Sequence, residues 1–346
     1  MKMVIGLDLG DKQNVGVVFD ADGTEHKAVK ITNTKAAMQK YFSKYPEAVV
    51  VMEAGTHSGW ISRLLEGMGH DVWVGNPRRL RAIWDATDKS DDRDARVLGM
   101  MYRLEPRLLH RIFHRGEEAQ CDLALIKSRQ MLVESRTKLI NHVRCVVKGM
   151  GERIKKCSAD SFAKRAESEI PVCLWEALSP LVEQIAQMTA AIRSLDKKID
   201  IKATKRYPET AYLTQVGGVG TLTAMAFVLT IEDAGRFKHS REVGAYLGLT
   251  PKRDQSGLSD KQLSITKQGN TYMRTLLVGC GHYIIGSFGK DCDLRRHGMR
   301  IMEHGGNNAK RRAVVAVARK LAVLLHRLWA DQSTYEPLRA QARKAA

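Results

Sequence analysis

The sequence predicts an α/β domain followed by a mainly helical region. Strand-like and helix-like patterns alternate through the first hundred residues. A heptad repeat then runs through the middle of the chain, and glycine-rich turns separate apolar helical patterns after residue 211. We therefore expect three regions: an α/β domain at 1–110, a coiled-coil helical region at 111–206 and a helical domain at 207–346.

The N-terminal region begins with three predicted strands. The first, MVIGLDLG, ends at Asp8, and the dipeptide Asp22-Gly23 predicts a turn between the next two. The run AVVVMEAG is typical of a strand buried on both faces, and its apolar part ends at Glu53. HDVWVGN predicts a fifth strand, and residues 91–104 predict a helix. This is the element order of a ribonuclease-H-like fold, in which the first strand lies beside the fourth.

The middle region carries apolar residues at heptad spacing. Two long helices are expected, paired as a hairpin or as the seam of a dimer; an ordinary helical core is the alternative. The second helix has the longer series, and the first has one residue every seven positions: Leu178, Leu181, Ile185, Met188, Ile192, Leu195 and Ile199, then Leu125, Leu132, Leu139 and Val146.

Charge is the strongest compositional signal. The chain has 56 Lys and Arg against 38 Asp and Glu, a formal net charge of +18. Such a chain attracts polyanions, and nucleic acid is the expected partner. The six cysteines form no CxxC pair, which predicts reduced thiols of a cytoplasmic protein. We expect no signal peptide and no membrane span.

Carboxylates stand where the predicted elements meet. Asp8 and Glu53 end neighbouring central strands, and an unpaired carboxylate there would be costly. Asp91 and Asp94 in KSDDRDAR (89–96) share one helix face, whereas Asp92 points elsewhere. Asp8, Glu53, Asp91 and Asp94 could surround Mg²⁺, which prefers hard oxygen ligands. The alternatives are strand-end turn acids and a solvated helix start, where acids favour the helix dipole.

These motifs resemble the IS110/IS1111 family of insertion-sequence transposases, whose N-terminus is similar to Holliday-junction resolvases of the RuvC type. The Asp8, Glu53, Asp91 and Asp94 set looks like the family's Asp-Glu-Asp-Asp set. The C-terminal stretches VGGVGTLTA, YLGLTPKRDQSG and ITKQGNTYMRTLL look like its transposase domain. The likeness covers nearly the whole chain, although Gln255 stands where some members carry Glu.

The resemblance implies an RNA-guided DNA recombinase. A non-coding bridge RNA would pair with donor and target DNA, and Ser256 would attack the scissile phosphodiester to form a phosphoserine link. Mg²⁺ would be held by the four acids. The resemblance also implies a homo-oligomer, a dimer or tetramer, with composite sites in which one subunit supplies the acids and another supplies the serine. From the residues alone, Ser256-Gly257 would be an ordinary turn.

Several further residues are candidates for nucleic-acid contacts. The turn VGGVG resembles a helix-hairpin-helix, in which Gly218 and Gly220 would let backbone N–H groups approach a phosphate; a tight helix corner is the alternative. Basic residues flank the serine segment and are predicted to contact phosphates: Lys252, Arg253, Lys261, Lys267 and Arg274.

Two other functions compete with the recombinase. A metal-dependent junction nuclease would use only the four acids, and it would stay active when Ser256 is replaced. A non-catalytic RNA- or DNA-binding protein would use the acids only structurally. Both leave the C-terminal motifs unexplained, so the sequence favours the recombinase.

Overall fold

The computed structural model describes residues 2–80, 90–256 and 259–339, with the side chains of 259–262 left out. The chain forms two compact units, Met1–Glu118 and Ala119–Ala346. The predicted class is confirmed: an α/β unit with a mixed sheet comes first, and a mostly helical region follows. The division of the second region at residue 206 remains a prediction.

The first unit is built on a five-stranded sheet with the order β3-β2-β1-β4-β5. β1, β2 and β3 are antiparallel, and β1, β4 and β5 are parallel. This order is consistent with the predicted ribonuclease-H-like arrangement. The elements are β1 (Val4–Asp8), β2 (Gln13–Phe19), β3 (Val29–Thr32), α1 (Lys35–Phe42), β4 (Val49–Glu53), α2 (Ser58–Gly67), β5 (Asp71–Gly75), α3 (Pro77–Leu80), α4 (Asp91–Leu104) and a 3-10 helix (Pro106–Leu109).

Both faces of the sheet are covered. Side chains of β1 alternate between the faces: Ile5 and Leu7 pack with α1 and α2, and Val4 packs with α4. The apolar residues of β4 are therefore buried on both faces of the sheet, as the run of apolar residues predicts. Two apolar layers hold the central strands rigidly, and the acids stand at the ends of those strands.

The second unit begins with two long helices. Its elements are α5 (Glu117–Gly149), a 3-10 helix (Ala159–Ser161), α6 (Phe162–Glu169), α7 (Val172–Arg206), α8 (Thr210–Thr214), α9 (Thr221–Ile231), a 3-10 helix (Ala234–Arg236), α10 (Arg241–Tyr246), β6 (Pro251–Ser256), β7 (Ser259–Ile265), α11 (Thr271–Ile285), α12 (Asp293–Glu303) and α13 (Ala309–Ala330). In the described part of the chain, no helix combines the length and apolarity needed to cross a bilayer.

α5 and α7 form an antiparallel hairpin within one chain. Polar pairs join them at successive levels: Asp122 with Lys202 at 2.6 Å and Arg129 with Asp196 at 2.6 Å. At the next level the buried Arg136 donates to Thr189 at 3.1 Å. Of the two predicted pairings, the hairpin is the one observed within the chain.

The predicted heptad column of α5 is shifted by one residue. Leu125 and Leu139 are only half-buried, whereas Ile126 is fully buried and Ile140 is 9% exposed. Apolar residues occupy both columns, and spacing alone does not show which one faces α7. In α7 the predicted series holds better, since Leu178, Ile185, Ile192 and Ile199 are all buried.

The rest of the second unit packs around α9, in which every residue from Thr223 to Ile231 is buried. α11 and α13 contribute to the same apolar core. The two-stranded sheet β6-β7 is different, because the side chains of residues 252–256 are all exposed.

Candidate active site

The acidic site is positioned by the sheet. β1 and β4 are parallel neighbours, with Leu7 opposite Met52. The next residue on each strand is Asp8 and Glu53, so these two half-buried acids end adjacent strands side by side. The prediction that the first and fourth strands are neighbours is confirmed.

The helix α4 brings two further acids to Asp8. Its first turn contains Asp91 and Asp94, both exposed, and begins at the N-cap Ser90, whose Oγ accepts the N–H of Arg93 at 3.3 Å. α4 lies unusually close to β1, because a Cβ atom at Gly6 would collide with the carbonyl of Ala95.

The electrostatics show that the four acids act on one another. Burial, followed by the charges of Asp91 and Asp94, raises the pKa of Asp8 from 3.8 to about 6. The charge of Glu53 adds a smaller effect in the same direction, against a hydrogen bond from the backbone of Leu9 that lowers it. The sequence-predicted acids thus share one electrostatic environment at the carboxyl end of the central strands.

The donor set suits a hard divalent cation. Among the residues that the structure describes, no three carboxylate, histidine or cysteine side chains lie close enough to hold one metal ion between them. All four predicted ligands nevertheless offer oxygen, and their repulsion is the kind that a bound cation relieves. The assignment of Asp8, Glu53, Asp91 and Asp94 as metal ligands therefore remains a prediction.

Sequence reasoning missed a polar network behind Asp8. Asn14 is fully buried on β2; its side-chain oxygen accepts the N–H of Gly10 at 3.2 Å, and its amide donates to Asn33 at 3.2 Å. Asn33 in turn donates to the carbonyl of Gly10 at 2.9 Å. These bonds tie down the loop that follows Asp8. The available signal was a polar residue at the start of the apolar run NVGVVF.

A histidine also lies at this edge of the sheet. His57 follows Glu53 in the loop before α2, and its Nε2 is 3.4 Å from a carboxylate oxygen of Asp11 in the loop after Asp8. Trp60 donates its indole N–H to Nδ1 of His57 at 3.3 Å. The contact links the loops that follow the two central strands.

The predicted nucleophile lies in the second unit. Ser256 is the last residue of β6, opposite Ser259 of β7, and its side chain is exposed. The serine therefore ends a strand beside the connection to β7, and Gly257 and Leu258 lie outside the described residues.

The basic residues around the serine differ in their exposure. Lys252, Arg253 and Lys267 are exposed, as expected for phosphate contacts. Lys261 of β7 lies opposite Asp254 of β6, and the side chain of Lys261 is outside the described part of the structure. Arg274 requires a correction, which follows from its burial.

Arg274 is only 8% exposed and its guanidinium is used within the protein. It donates to the carbonyls of Leu247 at 3.2 Å, Gln268 at 2.7 Å and Gly269 at 3.2 Å. The structure therefore gives Arg274 a structural role below the β6-β7 hairpin, in place of the predicted phosphate contact. A basic residue in a polar sequence segment carries no signal that distinguishes the two roles.

The predicted glycine turn is a real corner between α8 and α9. Gly218 has φ of +90°, and a Cβ atom there would lie 2.6 Å from the ring of Tyr283. Gly220 is exposed at the N-terminus of α9, with open space where a side chain would be. Gly218 is thus required by packing, and Gly220 leaves the helix N-terminus accessible.

Comparison with known proteins agrees with this geometry. A profile of DEDD transposases of the IS110 type matches residues 5–151. A second profile, described as the transposase IS116/IS110/IS902 family, matches residues 210–292. The two matched ranges contain the acidic site and the serine hairpin respectively.

Curated relatives match over nearly the full chain. A probable family 20 transposase of Pseudomonas aeruginosa is 25% identical over 343 residues, covering 96% of this chain and 98% of the relative. The transposase for insertion sequence element IS1111A of Coxiella burnetii is 28% identical, covering 96% of this chain and 91% of the relative. A pilin gene-inverting protein of Moraxella bovis is 22% identical, covering 93% and 94%.

The fold and the acidic site define a DNA transposase with a DEDD domain, a class that typically uses a divalent metal ion. The chain belongs to the IS110/IS1111 family of insertion-sequence transposases. It is therefore an enzyme that recombines DNA by phosphodiester transesterification. The predicted family is confirmed.

Proposed function

We propose that this transposase is an RNA-guided recombinase that joins DNA through Ser256. The observation that carries the proposal is the exposed Ser256 at the end of β6, inside the residues that match the transposase profile. A hydroxyl there is open to a phosphodiester. The acids of the first unit provide the second part of the chemistry.

The proposed step conserves the number of phosphoester bonds. The Oγ of Ser256 attacks a DNA phosphorus, an Oγ–P bond forms, and the bond from phosphorus to one sugar oxygen breaks. The released sugar hydroxyl takes up the proton that Ser256 loses. Attack by a sugar hydroxyl of the other DNA then reverses the step, joins donor to target and restores Ser256. Water takes no part.

The acids Asp8, Glu53, Asp91 and Asp94 would hold Mg²⁺ against the reacting phosphate. When bound, Mg²⁺ stabilises negative charge on phosphate oxygens. The buried strand ends hold Asp8 and Glu53 in place, so the site is preorganised. Asp8 would act as the ionised carboxylate, since a bound cation favours the charged form.

We further propose a homo-oligomer with composite sites, in which the acids of one subunit act with Ser256 of another. The α5-α7 hairpin supports this, because it exposes large apolar side chains: Val172 is 93% exposed, Met131 62% and Ile201 55%. The net charge of +18 supports binding of donor DNA, target DNA and a bridge RNA. Such a protein would work in the bacterial cytoplasm and would associate with the nucleoid when bound.

The proposed phosphate contacts are the exposed residues near the serine. Lys252, Arg253 and Lys267 would contact the backbone, and Lys261 would join them from β7. The N-terminus of α9 at Gly218 and Gly220 would approach a phosphate through backbone N–H groups.

Covalent trapping tests the proposal. The protein is mixed with Mg²⁺, the element's flanking non-coding RNA and a nicked target duplex, and protein–DNA adducts are separated on a denaturing gel and mapped by mass spectrometry. We expect an adduct on Ser256 that requires the RNA and Asp8. The matched control is Ser264→Ala, which removes an exposed hydroxyl from the same hairpin and keeps the adduct.

Two results would contradict the proposal. DNA hydrolysis without an adduct, persisting in Ser256→Ala, would make the protein a metal-dependent junction nuclease. An adduct that forms equally well without RNA would remove the guide from the mechanism while keeping the serine.

A further inference from the structure

One face of α13 lines an open groove of about 1020 Å³. A second wall of the groove is formed in part by the base of the β6-β7 hairpin, through Pro251, Leu263 and Ile265. Tyr335, which follows α13, adds an aromatic ring. The groove thus lies at the base of the hairpin that carries Ser256.

The face of α13 that lines the groove carries basic and apolar residues on alternate turns. Residues four apart lie on the same face, about 6 Å apart along the helix axis. Basic rows at 311–312, 319–320 and 327 alternate with apolar rows at 315–316 and 323–324. An ordinary surface helix would show polar residues throughout its solvent face.

The cations of this face differ in their use within the protein, since Arg312 donates to the carbonyl of Gly305 at 2.8 Å. Among the described residues, Arg319 and Lys320 are exposed and form no ion pair. The Nε of Arg327 is buried and has no hydrogen-bond partner. Burial and the charges of Lys320 and Arg300 lower the pKa of His297, which also lines the groove. Two acids, Asp293 and Glu336, also line the groove, but its cations outnumber them, so the groove is positively charged.

We propose that this groove binds a single-stranded segment of the DNA substrate, with phosphates on the basic rows and unstacked bases against the apolar rows and Tyr335. A duplex covers its base faces by stacking and would leave the apolar rows unused, whereas a single strand uses both. The choice of DNA over RNA rests on the proposed function, because the strand beside Ser256 must be the one that is cut.

The hairpin gives the distance from the groove to the reacting phosphate. Five residue steps separate Pro251 at the groove from Ser256, roughly 17 Å of strand. An unstacked DNA strand advances further per nucleotide than the about 3.4 Å of a stacked strand, so the bound bases lie at most roughly five nucleotides from the scissile phosphate.

Binding to the Ser256→Ala protein tests the groove without any chemistry. The probe is a fluorescein-labelled 12-nucleotide DNA, compared by anisotropy with an abasic DNA of the same length and an RNA of the same sequence. We expect the abasic DNA to bind at least about tenfold more weakly, since stacking contributes roughly 1–3 kcal/mol per base. Ala316→Trp, which fills the floor, should remove this difference, and Ala316→Ser should keep it.

The basic rows are tested through salt dependence. The double variant Arg319→Gln and Lys320→Gln should reduce the slope of log K against log salt by roughly 1.4 for two lost phosphate contacts on a single strand. Lys310→Gln is the charge control, because Lys310 is exposed on the same helix but does not line the groove. It should leave the slope unchanged.

Cross-linking of DNA to a protein whose groove carries no substitution tests the proposal without the risk that a variant misfolds. A single 5-iododeoxyuridine is placed at successive positions from the nick, and cross-linked peptides are mapped. Cross-links to Tyr335 or to α13 from positions within about five nucleotides are expected. Equal binding of abasic DNA, tighter binding of RNA or cross-links confined to other surfaces would overturn the proposal. Groove binding without a Ser256 adduct would instead leave the groove intact and reject the serine chemistry.

Discussion

The acidic site and the serine hairpin are built in opposite ways. Asp8 and Glu53 end strands whose preceding residues are fully buried between two apolar layers. Ser256 ends a strand in which residues 252–256 are all exposed. The first site is therefore held by the protein's own core, whereas the position of the serine depends on few internal contacts. We therefore expect substitutions around the acids to affect stability more than substitutions around the serine.

The largest effect is expected for Asp8→Asn, which changes the acidic site. We expect recombination to fall by about a thousandfold, or 4 kcal/mol of transition-state stabilisation, because a central carboxylate is lost. Without divalent metal, the same variant should be more stable by about 1 kcal/mol after allowance for solvent screening, because burial opposes the charge of Asp8. Strand-exchange rates and thermal unfolding measure the two effects.

The pH dependence of that gain has a definite sign. Well below pH 3.8 Asp8 is protonated in both folded and unfolded chains, so it carries no penalty. As pH rises from 3.8 to about 6, the unfolded chain loses this proton first and the wild-type protein loses stability. The advantage of Asp8→Asn should appear across this window and stay constant above it. Asp92→Asn is the control, and an equal gain there would contradict the assignment.

The second largest effect is expected for Gly6→Ala, which tests how closely α4 must approach β1. In Gly6→Ala the new methyl group meets the carbonyl of Ala95, so the helix has to move away from the strand. We expect a loss of about 3 kcal/mol of unfolding free energy, together with lower activity, because Asp91 and Asp94 move with the helix. Gly67→Ala, where a Cβ meets open space at the end of α2, should cause no loss and should gain up to about 1 kcal/mol from helix propensity in the same chemical denaturation experiment.

A smaller loss is expected at the base of the serine hairpin. Arg274→Ala removes a guanidinium that donates to three carbonyls and should cost about 2 kcal/mol. A phosphate contact would behave differently: stability would stay constant and the salt dependence of DNA binding would fall. Denaturation and binding measured on one variant separate the two roles.

The smallest effect is predicted for the exposed strand β6. Lys252→Gln should change stability by less than about 0.5 kcal/mol, because the side chain is exposed. Its effect should appear in duplex DNA binding, where the salt slope falls by roughly 0.9 for one lost phosphate contact. An unaltered slope would remove Lys252 from the proposed contacts.

The sheet order could be predicted from the order of the elements, and the prediction of the acid set rests on local rules. A strand apolar at every position is buried on both faces, and its first polar residue marks an exposed end. Asp8 and Glu53 satisfied that rule, and the spacing of Asp91 and Asp94 placed them on one helix face. The hydrogen bonds of the buried Asn14 and the half-buried Asn33 could not be inferred, because their partners are distant in sequence.

The sequence by itself determined the class and the family and predicted the acidic set, since periodicity and motif order are properties of the chain. Only the tertiary structure decided that Arg274 is buried, that Ile126 rather than Leu125 faces the core of α5, and that α13 turns alternating basic and apolar rows toward one groove. The physical reason is the same in each case. Two neighbouring residues of similar chemistry are distinguished only by the surface packed against them, and that surface comes from distant parts of the chain.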